Sequence, residues 1–244
     1  MLSPKTTERI VALAQQQTAY QPADSTRQNL ANKTLVMMVG ATCTGKSTVM
    51  QAVHALDPAI QVVGTTTTRP PRPDDDTSRY TYYDHSDVGL APLLDAIEQG
   101  NVVQYVVNPR SGHIYASRVE DYPGAVNIGD YFSSVVETFS QYGFQTIIPI
   151  VLITEPDAWL RRFNNRFPAG HSDRAARAAE AIESLTWALE KDSAVTWVIN
   201  LNGKSQVASL SVKNAILGEI NQNEQKAARQ LAEQCLQQIK EVLP

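Results

Sequence analysis

Cysteine is scarce in this chain: Cys43 and Cys235 are the only two in 244 residues. Two thiols so far apart make no disulfide framework, which excludes the small secreted scaffold held by bridges. Long apolar runs are missing as well. No stretch approaches the ~20 consecutive apolar residues of a membrane helix. Ile10 to Ala14 is too short, and too soon followed by Gln15-Gln16-Gln17, to be the apolar centre of a secretory leader. A reducing, cytoplasmic setting without a membrane partner is the expectation. Excess positive charge is absent too. A formal net charge of −4 provides no general basic field, so no nucleic-acid partner is expected. Basic residues gather only locally, between Arg69 and Arg79 and between Arg161 and Arg177. There is no internal repeat. The length allows an α/β domain with small insertions and a full core.

What is present is a glycine loop, Gly40-Ala41-Thr42-Cys43-Thr44-Gly45-Lys46-Ser47, followed by Thr48. It has glycine, four free positions, glycine, lysine and then a hydroxyl residue. Leu35 to Val39 before it is an apolar run of strand length, and Ser47 to Leu56 after it reads as a helix closed by Asp57-Pro58. Strand, loop and helix in this order let the backbone wrap a polyphosphate, whose charge then faces the helix N-terminus. Residues 40–48 are therefore assigned to ATP binding. Lys46 would reach the β- and γ-phosphates, and the Ser47 hydroxyl would ligate Mg²⁺.

Further elements follow from periodicity and turn residues. Gln61 to Gly64, Tyr80 to Tyr83, Asn101 to Val107, His113 to Tyr115, Ala125 to Ile128, Thr146 to Ile153 and Val195 to Ile199 have strand composition. Helices are expected around Ile10 to Ala14 and over Val88 to Gln99, Ser133 to Tyr142, Asp173 to Lys191 and Asn221 to Val242. The last carries an apolar stripe from Ala228 to Val242. Another helix should begin after Thr154 as N-cap, with Pro156 in the first turn and Asp157 at the capping-box position. Asn108-Pro109-Arg110-Ser111-Gly112 reads as a turn. Strands alternating with helices predict an α/β fold with a doubly wound, mostly parallel sheet of the phosphate-loop NTPase type.

The segment Thr65-Thr66-Thr67-Thr68-Arg69-Pro70-Pro71-Arg72-Pro73, with an acidic turn and Tyr80 after it, resembles the guanylate kinase family. The resemblance continues through Ile114-Tyr115-Ala116-Ser117, Arg162-x-x-x-Arg166, Arg174 or Arg177, and Val198-Ile199-Asn200, and covers residues from about 34 to 202. It implies an N-terminal extension (1–33) and a guanylate-kinase-like domain (34–244). That domain would have a core at 34–64 and 124–202, an acceptor-binding insertion at 65–123, an arginine-bearing lid at about 163–175 and a C-terminal helix at about 221–242. It also implies roles. Thr65, Arg69, Arg72, Tyr80, Gln104 and Tyr115 would bind the acceptor. Lys46, Arg162, Arg166 and Arg177 would be catalytic. Arginine grips a phosphate through two parallel hydrogen bonds, and prolines 70, 71 and 73 would stiffen the segment that carries two such side chains. Without the resemblance, Arg177 simply has Glu180 as an i,i+3 partner.

Two departures lie where the family reads the base. Gln104 stands in Val102-Val103-Gln104-Tyr105, where the family has a glutamate. Asn127-Ile128-Gly129 replaces an Asp-x-Asp strand end, with Asp130 one place later. The expected activity is transfer of the ATP γ-phosphate, with Mg²⁺, to a nucleoside monophosphate, GMP or dGMP. The alternatives are a kinase of the same fold for another phosphorylated acceptor, such as a different nucleotide or a sugar bisphosphate, and a catalytically silent interaction module.

Overall fold

The computed structural model describes residues 2–72, 75, 77–109 and 111–242. Pro73 and Arg110, expected in the proline-rich segment and in a turn, lie outside the described residues, as does the side chain of Val242. Along the chain run α1 (Pro4–Gln16), α2 (Asp24–Gln28), β1 (Thr34–Val39), α3 (Lys46–Leu56), β2 (Ile60–Val62) and β3 (Thr65–Thr67). Next come β4 (Tyr80–Tyr82), α4 (Asp87–Glu98), β5 (Gln104–Val107), β6 (Ile114–Ser117), β7 (Val126–Asp130) and α5 (Val136–Phe139). The chain ends with β8 (Thr146–Ile153), α6 (Pro156–Arg166), α7 (Arg174–Glu190), β9 (Thr196–Ile199), α8 (Ser205–Ile216) and α9 (Gln222–Val242).

The fold is α/β, and its five-stranded sheet has the order β2–β7–β1–β8–β9. Contacts divide the chain into two compact units. One holds residues 34–60, 128–139 and 146–244; the other holds 1–33, 61–127 and 140–145. In the former, β1 pairs in parallel with β8, Leu35 opposite Ile147 and Val39 opposite Val151. β8 pairs in parallel with β9, Ile150 opposite Thr196 and Ile153 opposite Ile199. Residues 35–39 and 150–153 are all buried. Strands covered on both faces read as continuous apolar runs rather than alternations, which is why β1 and β8 were plain in the sequence.

The other unit is built on a second sheet, ordered β4–β3–β6–β5. β3 and β4 are parallel, while β6 runs antiparallel to both β3 and β5. Tyr105, Val107, Ile114 and Ala116 pack from one face against Leu90, Leu93, Leu94 and Ile97 of α4 and Ile10 and Leu13 of α1. Because side chains alternate along a strand, the register puts Thr65, Thr67, Tyr80, Tyr82, Gln104, Tyr115 and Ser117 on the opposite face. That face is polar and rich in hydroxyls.

The structure corrects several expectations. Residues 1–33 are no appendage but part of this second core. α1 is thirteen residues long, not five. Ser3 caps it by accepting from the Thr6 N–H, and Pro4 occupies the first turn. The Tyr105 hydroxyl donates to Leu13 O at 3.0 Å, and the Tyr20 hydroxyl donates to Val102 O at 2.7 Å. The Ala23 N–H and the Thr26 hydroxyl both donate to Gly100 O, at 2.9 and 2.8 Å. The helix expected over Ser133 to Tyr142 stops at Phe139. Phe139 and Tyr142 share a helical spacing but are buried in different units, so the chain leaves the helix between them. Glu155, not Thr154, precedes α6 as its cap, and Thr154 is buried instead.

Candidate functional site

The glycine loop occupies residues 40–45, between the carboxyl end of β1 and the first turn of α3. Its backbone needs conformations that side chains resist. Gly45 sits at φ +95° as the cap of α3, and Gly40 lies at φ +131°. A Cβ on Gly40 would come within 2.5 Å of Leu152 O. Cys43 also has a positive φ, 67°, sparsely populated for a residue with a side chain and a mark of backbone held by its surroundings. No side chain caps α3. The amides of its first turn have no intrahelical acceptor, an arrangement that suits an anion.

Three side chains from distant parts of the chain hold the loop's carbonyls. Trp159 Nε1 donates to Thr42 O at 2.7 Å, and its ring stacks on Phe163 with centroids 4.7 Å apart. Asn200 Nδ2 donates to Thr44 O at 2.8 Å. Arg162 lies at 3.5 Å from both Cys43 O and Thr44 O and bonds Asn202 Oδ1 at 3.1 Å. Lys46 folds back on the loop, its Nζ donating to Gly40 O at 2.6 Å and Ala41 O at 3.2 Å, and stands 3.6 Å from Asp130 Oδ1. Asp130, Thr154 and Asn200 thus follow or end β7, β8 and β9 at the same carboxyl edge where β1 delivers the loop, the edge at which open α/β sheets bind ligands. Thr154 Oγ1 is buried there without a hydrogen-bond partner among the described residues.

Of the arginines expected at a lid, Arg162 reaches the loop. Arg166 is exposed, 5.6 Å over the Phe167 ring. Arg174 donates to Phe167 O and to Asn164 Oδ1, and Arg177 is engaged by Glu180 at 2.6 Å, the pair its spacing offered. Among the described residues no three His, Cys, Asp or Glu side chains converge as a metal cage. Oxygen groups at this edge include the Asp130 carboxylate, beside Lys46, and the Thr154 hydroxyl, and Ser47 stands in the first turn of α3. That hard, sparse set suits Mg²⁺, which keeps most of its shell as water and phosphate oxygen.

The second unit holds a different arrangement. Arg69 follows β3, is 6% exposed at its side chain, and pairs with an equally buried Asp75. Its two terminal nitrogens donate to Asp75 Oδ2 and Oδ1, each at 2.7 Å, and Nη1 also reaches Pro70 O at 2.9 Å. Asp75 Oδ2 further accepts the Arg72 backbone N–H at 2.7 Å and the Tyr82 hydroxyl at 2.8 Å. The guanidinium lies 5.1 Å over the Tyr80 ring, which stacks on Tyr82. Arg69 first, and the Arg72 N–H and Tyr82 after it, hold the Asp75 carboxyl well below the ordinary carboxylate range. Burial, then the neighbouring His85, keeps His113 below the usual histidine value.

The expected acceptor residues are therefore brought together with changes of role. Thr65, Tyr80, Gln104 and Tyr115 share the polar face of the sheet, and Arg69 adjoins it. Arg72 contributes its main chain while its side chain is exposed. Tyr82 gives its hydroxyl to Asp75, while Tyr80 lies under the Arg69 guanidinium with its ring. Asp75 and Tyr82 were missed; an acidic residue six places after the arginine was the available signal. The departures at 127 and 129 have local reasons. Asn127 closes a turn, accepting the Gly124 N–H at 2.9 Å and donating to Gly124 O at 2.8 Å. A Cβ at Gly129 would meet the Tyr131 ring at 2.6 Å.

No known protein family and no curated protein matches this sequence. Among solved structures, a guanylate kinase from Anaplasma phagocytophilum aligns over 82% of this chain and 93% of its own, with 12% identity and a TM-score of 0.45. A fungal RNA kinase aligns over 87% of this chain and 99% of its own, with 11% identity and a TM-score of 0.34.

Proposed function

We infer that this chain is an ATP-dependent phosphotransferase acting on a phosphorylated acceptor, with a nucleoside monophosphate, GMP or dGMP, as the first candidate. The observation that carries the reading is the 40–47 loop. Its positive-φ backbone, uncapped helix start and folded-back Lys46 form a cradle whose natural occupant is a polyphosphate. In the reaction an oxygen of the acceptor phosphate bonds to the γ-phosphorus, the bridging β–γ oxygen departs with ADP, and charge on the transferring group must be neutralised. Lys46 would leave the Gly40 and Ala41 carbonyls for the phosphates, and Arg162 would add charge beside the loop. Ser47, with Asp130 beside Lys46, would hold Mg²⁺, which would supply neutralisation of phosphate charge. Arg69 and Tyr82 would bind the acceptor's phosphate.

A same-fold kinase for another acceptor is the second reading. Gln104 supports it, since a neutral amide gives guanine's donors no charge-assisted partner. A silent interaction module is disfavoured, because such a module gains nothing from Lys46 at the loop. Measuring ADP formation from MgATP with GMP, dGMP, AMP, CMP, UMP and ribose bisphosphate tests the proposal and ranks the acceptors. Turnover should appear with at least one, and Lys46→Ala should lower it by at least about 100-fold, the scale of losing one directed charge stabiliser. Near-normal turnover in Lys46→Ala would remove the loop from the chemistry.

A further inference from the structure

The Arg69 fork is filled by the protein itself. Asp75 takes four hydrogen bonds there: two from the guanidinium, one from the Arg72 N–H and one from the Tyr82 hydroxyl. A planar fork, a main-chain amide and a hydroxyl are the donor set that recognises a phosphate monoester. We propose that Asp75 is a built-in competitor, a carboxylate that occupies the acceptor-phosphate position and sets an affinity threshold that a dianion passes more readily than a monoanion. The inference rests on the reading of Arg69 as acceptor-binding.

The argument is one of competition. Asp75 lies six residues from Arg69 and is tethered to it by the chain, so it competes at an effective concentration on the order of millimolar and loses no translational freedom on pairing. A free monoanion, such as a carboxylate or a phosphodiester, brings the same single charge and must bear that entropic loss. It displaces Asp75 only at high concentration. A phosphate monoester brings nearly two charges and a third terminal oxygen. Leaving the guanidinium unpaired in its buried setting is costly, so Asp75 departs only when such a ligand arrives to replace it. Terminal phosphates are thereby selected over internal diesters, and the substrate class is small molecules or chain ends that carry a phosphate monoester.

The test is calorimetric titration of the full-length protein at pH 8 without ATP, using methyl phosphate, dimethyl phosphate and acetate. The wild type should bind methyl phosphate and hold dimethyl phosphate and acetate at least about 10-fold more weakly. Asp75→Asn should bind methyl phosphate about 10- to 100-fold more tightly, the range of one charged hydrogen bond, and the weaker anions should gain by the same factor, because a competitor lowers every affinity alike. Adding Arg69→Met to Asp75→Asn should abolish binding of all three. The proposal is overturned if Asp75→Asn leaves the affinity for methyl phosphate unchanged, if it weakens it, or if methyl phosphate binds neither protein. Should Asp75→Asn lose its fold, methyl phosphate must restore it as judged by thermal unfolding, and failure of that rescue also overturns the proposal. None of these titrations involves ATP. ADP formation that persists when they fail therefore leaves the kinase reading standing, and a gain in affinity without ADP formation leaves only the fork.

Discussion

At the scale of the residue, a buried ion pair is a statement about pH. The folded state holds the Asp75 carboxyl below its unfolded value of about 3.9, so the pair's stabilisation is fully present above that value. It is lost as pH falls through the lowered folded value. Urea unfolding of wild type and Asp75→Asn should therefore differ by a constant amount above about pH 5, with the gap closing below about pH 4. A gap that persists undiminished to acid pH would mean that Asp75 contributes by packing alone. Gln104 gives a second residue-scale test. On the polar face of the second sheet, Gln104→Glu should raise kcat/KM for GMP several-fold, corresponding to about 1 kcal/mol, and leave ATP affinity unchanged. An unaltered ranking of acceptors would mean that position 104 does not read the base.

At the scale of the element, legibility depended on the range of the interactions. The glycine loop, β1 and β8 could be read because the backbone demands of Gly40 and Gly45 and the burial of both strand faces are written in consecutive residues. The first helix was read too short, since only its apolar centre was weighed while Ser3 and Pro4 marked its start. β3 was missed because three threonines beside a proline-rich segment look like a loop until β4 and β6 pair with them. Trp159 on Thr42 O joins residues 117 positions apart, and no local pattern announces such a contact. Arg69 stood out in the sequence, but its partner Asp75 did not, because nothing in an acidic turn says which carboxylate folds inward. The docking of α1 can be tested directly. Leu13→Ala should cost about 2–4 kcal/mol in urea unfolding and speed amide exchange in β5. Val11→Ala on the same helix, 51% exposed, should stay within about 0.5 kcal/mol. Equal effects would mean that α1 does not pack by its Ile10–Leu13 face.

At the scale of the whole molecule, the chain carries two anion-directed arrangements. One is a loop-and-helix cradle at the carboxyl edge of a mostly parallel sheet; the other is an arginine fork beside the hydroxyl-rich face of a second sheet. Among the described residues no helix is long and apolar enough to cross a membrane. A net charge of −4 makes local cations, rather than an overall field, responsible for attracting anionic ligands. A cradle alone would serve nucleotide binding or hydrolysis. With the fork read as a phosphate-monoester site, as proposed above, the expected activity is transfer. The decisive measurement is to follow the γ-phosphate of radiolabelled ATP in the presence of Mg²⁺ and the best acceptor of the panel. The account predicts that the label appears as a new phosphoanhydride on the acceptor, in step with ADP, and that little is released as inorganic phosphate. Label found only in inorganic phosphate, or remaining in ATP with every acceptor, would contradict it.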